Sequence, residues 1–297
     1  MEECGYKIVL SIDGGGIRGI IPLIMLDHIE QNFKDIGKSL VIPDLVDLFA
    51  GTSTGTVITG ALMLKNPDGT MKFNVRNILD MYMYRGRQIF NKQSGMNSHR
   101  YVYPFRLVLD TNFGDLKLRD ISHDFLFLSY DLIENRPYLF KKGELSQSNT
   151  FLSDAMMACS AVPGYFPPIK YGDRELADGM LTAKNPAYYA YEYARNLYPN
   201  DKILLVSLGT GKCTKKKPDW IDEEVTYTED RLRQQSLIDS NLYYIRLQPD
   251  LILANDSIDD TSDENIEGLV HDSVNYLRAA GEKFDRLFDL MKIKMAV

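Results

Sequence analysis

Cysteine, histidine and tryptophan are scarce in this sequence of 297 residues, which contains three, four and one of them respectively. The cysteines, Cys4, Cys159 and Cys213, are too far apart for a CxxC zinc motif or an evident disulfide framework, so we expect a reducing compartment. Asp, Glu and His residues form no cluster with convincing metal-ligand spacing. The sequence therefore predicts neither a metal site nor another cofactor.

Long apolar runs are absent as well. The longest run near the N-terminus, residues 20–26, is interrupted by Pro22 and is far shorter than a membrane span. The acidic N-terminus leads directly into a strand-like run, which is not typical of a signal peptide. We therefore expect a cytoplasmic protein that could still contact membranes peripherally.

Positive charge is also in deficit, with 34 Lys and Arg against 41 Asp and Glu and a formal net charge of -7. Non-specific nucleic-acid binding needs a dense basic surface, so nucleic acid is not an expected partner. Hydrophobic residues make up 44% and charged residues 25% of the chain, which is ordinary for a globular protein and excludes disordered or collagen-like structure.

Short β-branched runs alternate with segments of helical periodicity along the chain. The predicted strands are residues 7–12, 44–50, 125–132, 138–142, 175–179 and 202–208. The predicted helices are residues 20–33, a segment that follows residue 55, and residues 153–159 and 186–197. This alternation predicts an α/β fold with a mostly parallel central sheet that is covered on both faces.

Other segments have weaker patterns. Residues 71–118 carry scattered aromatic and basic side chains and predict a helix followed by a loop. Residues 212–236 are polar and residues 259–264 acidic, so we expect solvated loops in both. From residue 265 onward, apolar residues keep three-to-four spacing, which predicts one amphipathic C-terminal helix.

The first candidate site is a Gly-x-Ser-x-Gly turn at residues 51–55, between a predicted strand and a predicted helix. Glycines on both sides allow a tight, strained bend that raises the Ser53 hydroxyl at the carboxyl end of the sheet. The helix N-terminus behind it offers unpaired N–H groups that would stabilise an oxyanion. Ser53 is therefore a candidate nucleophile, and the alternative is a structural turn whose serine caps the helix.

A second glycine turn, DGGGIRG at residues 13–19, follows the first predicted strand. The dinucleotide-binding fingerprint is satisfied literally by three of its glycines, Gly14, Gly16 and Gly19, so a nucleotide-binding module is an alternative function. Two features disagree with it. Asp13 would lie beside the pyrophosphate, and Asp35 lies in a polar stretch, whereas the fingerprint needs an acidic residue at the end of a second strand.

The same turn has another interpretation, in which its backbone forms an anion-binding nest that faces Ser53. The N–H groups would come from three consecutive glycines, Gly14, Gly15 and Gly16. Arg18 would hold this loop or add a positive field, unless it forms an ordinary surface salt bridge.

A serine nucleophile needs a base. No motif places any of the four histidines near the serine turn; they are His28, His99, His123 and His271. His271 follows Ser53 and Asp178 in the order of α/β-hydrolase triads and is an alternative base. Asp178 is the stronger candidate, because it ends a short strand at an Asp-Gly turn from which a carboxylate could face the nucleophile; a plain turn is the other interpretation.

Together, these motifs resemble those of the patatin-like phospholipase family. The resemblance is carried, in the family's order and spacing, by DGGGIRG at 13–19, GTSTG at 51–55, SAVPGYFPP at 160–168, ADG at 177–179, NPA at 185–187 and LVSLGTG at 205–211. We predict a single patatin-like domain over residues 1–297, with a motif-bearing core at about 6–211 and a helical C-terminal part at about 265–297.

The resemblance implies a three-layer α/β/α fold and a Ser–Asp dyad without histidine. Ser53 would be the nucleophile and Asp178 its base, the Gly14–Gly16 backbone would form the oxyanion hole, and Arg18 would support that loop. The implied reaction is calcium-independent hydrolysis of fatty-acyl esters of phospholipids, galactolipids or monoacyl lipids through an acyl-enzyme. Met180 departs from the family, which usually has Gly or Ala there, and could narrow the acyl pocket or shift the turn that carries Asp178.

A long acyl chain needs an apolar groove, for which the aromatic stretch at residues 81–105 is the candidate lining; ordinary core packing is the alternative. The net negative charge opposes anionic bilayers, so membrane contact should be transient and local, through the basic side chains Arg85, Arg87, Lys92, Arg100 and Arg106. Some bacterial patatin-like proteins are effectors that a nucleotide second messenger or a partner activates, and such regulation is a further alternative.

Overall fold

A computed structural model of the chain describes residues 6–90 and 102–296, with the side chains of residues 102, 295 and 296 left out. The predicted α/β fold with a mostly parallel central sheet is confirmed. The strands of the central sheet are β1 (Tyr6–Ile12), β2 (Leu48–Thr52), β3 (Asp124–Asp131), β4 (Arg136–Lys141), β5 (Ile169–Tyr171), β6 (Arg174–Asp178), β7 (Lys202–Leu208) and β9 (Leu242–Leu247). A small separate pair is formed by β8 (Lys212–Cys213) and β10 (Asp250–Leu251).

The sheet has the strand order β5-β6-β3-β2-β1-β7-β9, and β4 also pairs with β3. The strands from β3 to β9 in this order are parallel, whereas β4, β5 and β6 are joined by antiparallel pairs. Ile12 of β1 lies in register with Gly51 of β2 and with Leu208 of β7. The loops that follow these three strands therefore leave the same edge of the sheet, where ligand sites of open α/β sheets lie.

Helices cover both faces of the sheet. In chain order they are α1 (Ile20–Asp35), α2 (Ile42–Leu45), α3 (Thr54–Leu62), α4 (Val75–Asp80), α5 (Gly86–Ile89), α6 (Val102–Phe113), α7 (Leu152–Cys159), α8 (Ala187–Leu197), α9 (Trp220–Ile238), α10 (Asp263–Ala279) and α11 (Gly281–Ala296). Short 3₁₀ turns at Gly16–Gly19 and Gly179–Leu181 and a π turn at Met81–Arg85 complete the elements around the site. Among the described residues, no helix is at once long enough and apolar enough to cross a membrane.

Side chains of β1 alternate between two hydrophobic cores, as the two-residue repeat of a strand requires. Ile8 and Leu10 pack into the larger core with α1, α3, α10 and α11. Val9 packs into the smaller core on the other face, with alanines of α8 and Leu232 of α9. Because β1 is buried on both faces, three consecutive apolar residues, Ile8 to Leu10, lie at its centre instead of an alternating pattern.

Several segments differ from the sequence predictions, four of them in ways that bear on the fold. The strand expected at 44–50 begins at Leu48, after the helical turn α2. The loop expected late in 71–118 contains α6. The polar segment 212–236 is mostly α9, and β9, which was not predicted, follows it. The single C-terminal helix is two helices, because α10 ends at Ala279 and α11 begins at Gly281.

The failure to predict α9 from the sequence has a clear physical reason. Asp219 caps its N-terminus by accepting the N–H groups of Ile221 and Asp222, each at 3.0 Å. Only three of its side chains are buried, Val225, Thr228 and Leu232. This narrow stripe on a highly charged helix gives too weak a periodicity to be separated from a solvated loop.

Candidate active site

Ser53 occupies a strained turn between β2 and α3. Its backbone has φ 54° and ψ -122°, and in the described chain the only other non-glycine residue with positive φ is Asn135. A side chain in this region costs about 1–3 kcal/mol, and such strain concentrates at functional sites. The Ser53 side chain caps no N–H group of α3, so the interpretation of Ser53 as a helix-capping serine is wrong.

The two glycines of this turn are required by space. A Cβ on Gly51 would lie 2.4 Å from the carbonyl carbon of Gly55, and a Cβ on Gly55 would lie 2.1 Å from the carbonyl oxygen of Ile12. Both distances are far below van der Waals contact. The Gly-x-Ser-x-Gly pattern therefore reflects close backbone packing of the turn against β1 and α3.

The second glycine turn lies directly against the serine. A Cβ on Gly14 would lie 3.3 Å from the Cβ of Ser53, and Gly16 has φ 56°, a conformation that favours glycine. The Gly14 N–H donates to the carbonyl of Lys184 at 3.0 Å. Among the described residues, no acceptor is bound by the N–H groups of Gly15 and Gly16. Of the three predicted oxyanion donors, Gly14 is thus occupied, and Gly15 and Gly16 are available.

Asp13 at the start of this turn forms a buried ion pair with Arg246 of β9. The guanidinium donates to both carboxylate oxygens, at 2.8 and 2.6 Å, and also to the hydroxyl of Ser207 at 2.8 Å. The neighbouring Asp13 charge holds the pKa of Arg246 above its usual value, although burial opposes the charge. Asp35, at the end of α1, does not follow a second strand, so the acidic residue that the dinucleotide fingerprint needs is missing.

Asp178 ends β6 and is fully buried. Its Oδ1 accepts the Met180 N–H at 2.8 Å, while Oδ2 has no hydrogen-bond partner among the described residues. Burial raises the pKa of Asp178 to about 7, and the Met180 N–H and the Ser53 hydroxyl counteract part of this rise. The Ser53 hydroxyl is thus close enough to act on the carboxyl group, although no hydrogen bond of ordinary geometry joins the two.

The described histidines lie elsewhere. His28 packs edge-on against Phe284, with ring centroids 5.0 Å apart. His123 contacts the carbonyl oxygen of Pro43 through Nε2 at 3.0 Å. His271 is half exposed and lies near Asn275. None of these three histidines hydrogen-bonds to Ser53 or Asp178, and His99 lies outside the described residues.

Two cavities meet at Ser53. The first is apolar and is lined mainly by α3, α4, the π turn, α5 and α6, including Val57, Ile78, Met81, Ile89, Phe105 and Phe166. The described part of the aromatic stretch at 81–105 therefore does line a cavity beside Ser53. The second cavity, which we call the polar cavity because charged side chains line it, contains the glycine turn together with Arg18, Met180 and Lys184.

Met180 lies on the polar cavity and not among the residues that line the apolar one. Its N–H group holds Oδ1 of Asp178, a contact that does not depend on its side chain. The departure from the family at this position therefore leaves the apolar cavity unobstructed.

Among the basic residues considered for membrane contact, Arg85 lines the apolar cavity, Arg87 pairs with Asp263, and Arg106 pairs with two acidic residues. Lys92 and Arg100 lie outside the described residues. Arg18 is buried, and its Nε donates to the carbonyl of Gly15 at 3.4 Å, which places it against the glycine turn and not in a surface salt bridge.

Sequence reasoning missed two charged residues at this site, Arg246 and Lys184. Arg246 lies on the unpredicted strand β9, and no local motif marks it; the only signal is that a buried Asp13 needs a cationic partner. Lys184 directly precedes the NPA segment, but its spacing carries no chemical signature. Within residues 6–90 and 102–296, no group of three or more His, Cys, Asp or Glu could hold a metal ion, and the expectation of metal-free activity stays a prediction.

Comparison with known proteins identifies one family. The family model described as patatin-like phospholipase matches residues 10–191. Patatin-17 from Solanum cardiophyllum is 28% identical, over 91% of this chain and 83% of its own length. Patatin-07 from Solanum tuberosum is 30% identical, over 68% of this chain and 60% of its own length, so this chain spans less than two thirds of that relative.

Solved structures show more distant likeness. VipD from Legionella pneumophila is 13% identical, with a TM-score of 0.39 over 93% of this chain and 67% of its own. Human group IVD cytosolic phospholipase A2 is 14% identical, with a TM-score of 0.45 over 97% of this chain and 60% of its own. The match to the family model spans more than half of this chain. The chain therefore belongs to the patatin-like phospholipase family, a membership that implies lipid acyl hydrolase activity.

Proposed function

We propose that the protein hydrolyses fatty-acyl esters of glycerolipids, as a phospholipase A or lysophospholipase, with Ser53 as nucleophile and Asp178 as base. One observation carries this proposal. Ser53 lies in a strained turn beside the fully buried Asp178 carboxyl group, and Oδ2 of that carboxyl has no hydrogen-bond partner among the described residues. A buried carboxylate with a free oxygen beside a hydroxyl is equipped to accept its proton.

In the first half of the reaction, Ser53 Oγ attacks the ester carbonyl carbon while Asp178 takes the hydroxyl proton. The tetrahedral oxyanion is stabilised by the N–H groups of Gly15 and Gly16, which have no acceptor among the described residues. The intermediate collapses, and the lipid alcohol leaves with the proton from Asp178. The products are a free alcohol and an acyl ester on Ser53.

In the second half, Asp178 removes a proton from water, which attacks the acyl-Ser53 ester. The same N–H groups stabilise the second oxyanion, and the fatty acid leaves as Ser53 regains its proton. Burial makes Asp178 a stronger base than an exposed carboxylate, because its pKa lies much nearer to that of the groups it deprotonates.

The apolar cavity supplies the site for the acyl chain. Its lining is almost wholly hydrophobic and reaches Ser53, so burial of a fatty-acyl chain there would contribute about 0.8 kcal/mol per methylene group. We further propose that the chain acts as one domain in the cytoplasm, contacts membranes transiently, and needs no calcium. Activity should survive excess EDTA, and its loss with rescue by calcium would reject that last point.

A fluorophosphonate probe followed by peptide mass spectrometry tests the nucleophile. The adduct should form on Ser53 and disappear in Ser53→Ala, together with hydrolysis of phosphatidylcholine micelles. Ser160→Ala is a matched control, because Ser160 lines the same apolar cavity, and it should still be labelled on Ser53. An adduct on another serine, or lipid hydrolysis that persists in Ser53→Ala, would reject the proposal.

A further inference from the structure

Two buried cations line the polar cavity beside Ser53. Arg18 and Lys184 are each 6% exposed. Within the described residues, the Lys184 ammonium forms no hydrogen bond or ion pair, and Arg18 has only the weak contact with the Gly15 carbonyl. Cations this deeply buried normally contact an acidic partner. Arg18 and Lys184 are therefore positioned to bind an anion that comes from outside the chain.

The backbone of Lys184 is held firmly. Its carbonyl accepts the Gly14 N–H at 3.0 Å, and its own N–H donates to Oε2 of Glu224 at 2.9 Å. Lys184 is thereby tied to the glycine turn on one side and to α9 on the other. Because both contacts use backbone atoms, a change of the Lys184 side chain preserves them.

The charges around Lys184 leave its ammonium poorly compensated. Burial and the neighbouring Arg18 lower the pKa of Lys184 to about 7, Arg246 acts in the same direction, and Asp13 and Asp222 oppose them. Asp13 is already paired with Arg246. A bound anion would supply the missing charge and stabilise the protonated lysine.

Acidic residues lie farther out in the same cavity. Asp219 is exposed, whereas Asp222 and Asp256 are half buried. Lys216 bridges Asp219 and Asp256, at 3.3 and 2.6 Å, and Asp222 forms no ion pair with the described residues. The cavity is therefore cationic at depth and acidic toward solvent.

The reacting serine lies between this cavity and the apolar one, since Ser53 lines both. An ester in a phospholipid likewise lies between an acyl chain and a phosphate-bearing headgroup. We propose that the polar cavity binds the headgroup of a zwitterionic phospholipid, with its phosphate on Lys184 and Arg18 and its ammonium group toward Asp222. This inference rests on the proposed function and adds the type of headgroup and the residues that bind it.

Other headgroups fit less well. A neutral sugar headgroup leaves the two buried cations without an anion. A phosphoglycerol headgroup satisfies the cations but brings no positive charge to Asp222. The expected order of kcat/KM is therefore phosphatidylcholine or phosphatidylethanolamine first, then phosphatidylglycerol, then galactolipid, when all carry the same acyl chains.

The test compares these lipids in detergent micelles with p-nitrophenyl butyrate, an ester without a headgroup. In Lys184→Met, the ratio of kcat/KM for phosphatidylcholine to that for p-nitrophenyl butyrate should fall roughly tenfold or more, the scale of a lost charged hydrogen bond. Lys184→Arg should restore most of this ratio. Lys170→Met, the same change on an exposed lysine of β5 outside the cavity, should leave it unaltered.

An unchanged ratio in Lys184→Met, or an equal loss with galactolipid, would overturn the headgroup assignment. Asp222→Asn should narrow the preference for phosphatidylcholine over phosphatidylglycerol, and an unchanged preference counts against the ammonium contact. If Lys184→Met does not fold, glycerophosphocholine should inhibit the wild type more strongly than glycerophosphoglycerol does, and equal inhibition overturns the assignment. Lipid hydrolysis that persists in Ser53→Ala would instead reject the proposed function, so the two failures are distinguishable.

Discussion

Arg246 and Asp13 form a doubly hydrogen-bonded ion pair that is buried between the glycine turn and β9, although 233 positions separate them in sequence. Both side chains are at most 1% exposed. The pair fixes the first residue of the turn whose next residues, Gly14–Gly16, lie beside Ser53. We expect that stability and activity both depend on it.

Replacement of Arg246 by Met should therefore destabilise the protein by about 3–5 kcal/mol, because it leaves the Asp13 carboxylate buried and unpaired. Chemical denaturation at pH 7.5 measures the loss. The double variant Asp13→Asn/Arg246→Met should recover part of it, since no uncompensated charge remains. Equal stability of the single variant and the wild type would show that the pair contributes little.

The pH profile should have an acid limb near neutrality. The pKa of Asp178 is raised to about 7, so the carboxylate that accepts the Ser53 proton is lost below this pH. We expect kcat/KM to rise with pH through about 7 and to fall about tenfold per unit well below it. Glu224 is a matched control, because burial raises its pKa to about 7 as well. Glu224→Gln should retain the acid limb if Asp178 causes it.

The same pKa shift has a consequence for stability. A carboxyl group whose pKa is raised on folding favours the folded state at low pH, and this contribution is lost as pH rises through about 7. Asp178→Asn removes the buried charge, so at pH 8 it should be at least as stable as the wild type while turnover is abolished. Thermal unfolding of Asp178→Asn and of the wild type at pH 8 and at pH 5 measures the difference in stability. A variant markedly less stable than the wild type at pH 8 would contradict the prediction.

A dyad and a triad make opposite predictions for the histidines. None of the three described histidines contacts Ser53, so His→Ala changes at positions 28, 99, 123 and 271 should each leave the esterase rate within about tenfold of the wild type, after indirect stability losses. Removal of a triad histidine would instead cost several orders of magnitude. Collapse of activity in a folded His271→Ala variant, with Asp178→Asn still active, would restore the triad interpretation.

The glycine turn should tolerate no side chain at its centre. In Gly15→Ala, the new Cβ would lie 2.4 Å from Oγ1 of Thr210, whose hydroxyl donates to the Gly14 carbonyl at 2.7 Å. The displaced turn should lower kcat roughly 100-fold or more, the scale of a lost oxyanion donor. Gly281→Ala, where a Cβ meets no atom within 4 Å, should retain normal turnover. Normal kcat in folded Gly15→Ala would reject the oxyanion assignment.

Local sequence determined the parts of the site that depend on local sterics. The turn around Ser53 and the glycine turn after β1 could be predicted, because tight backbone bends and close strand–helix packing require glycine at particular positions. The strands that lead into them could be predicted from mainly apolar runs, which a doubly covered parallel sheet requires, although β2 begins later than expected. The strand end at Asp178 followed from an Asp-Gly turn next to a short apolar run.

The tertiary structure alone decided which of these groups meet and which are already occupied. The Gly14 N–H is removed from the oxyanion donors by the Lys184 carbonyl, and Asp13 finds its counter-ion on β9, a strand that the sequence did not predict. Such pairings join residues far apart in the chain, and the free energy that selects them comes from burial and charge compensation in the assembled core. Periodicity and turn chemistry describe only neighbours in sequence, so they carry no information about a lysine and an arginine that become buried side by side.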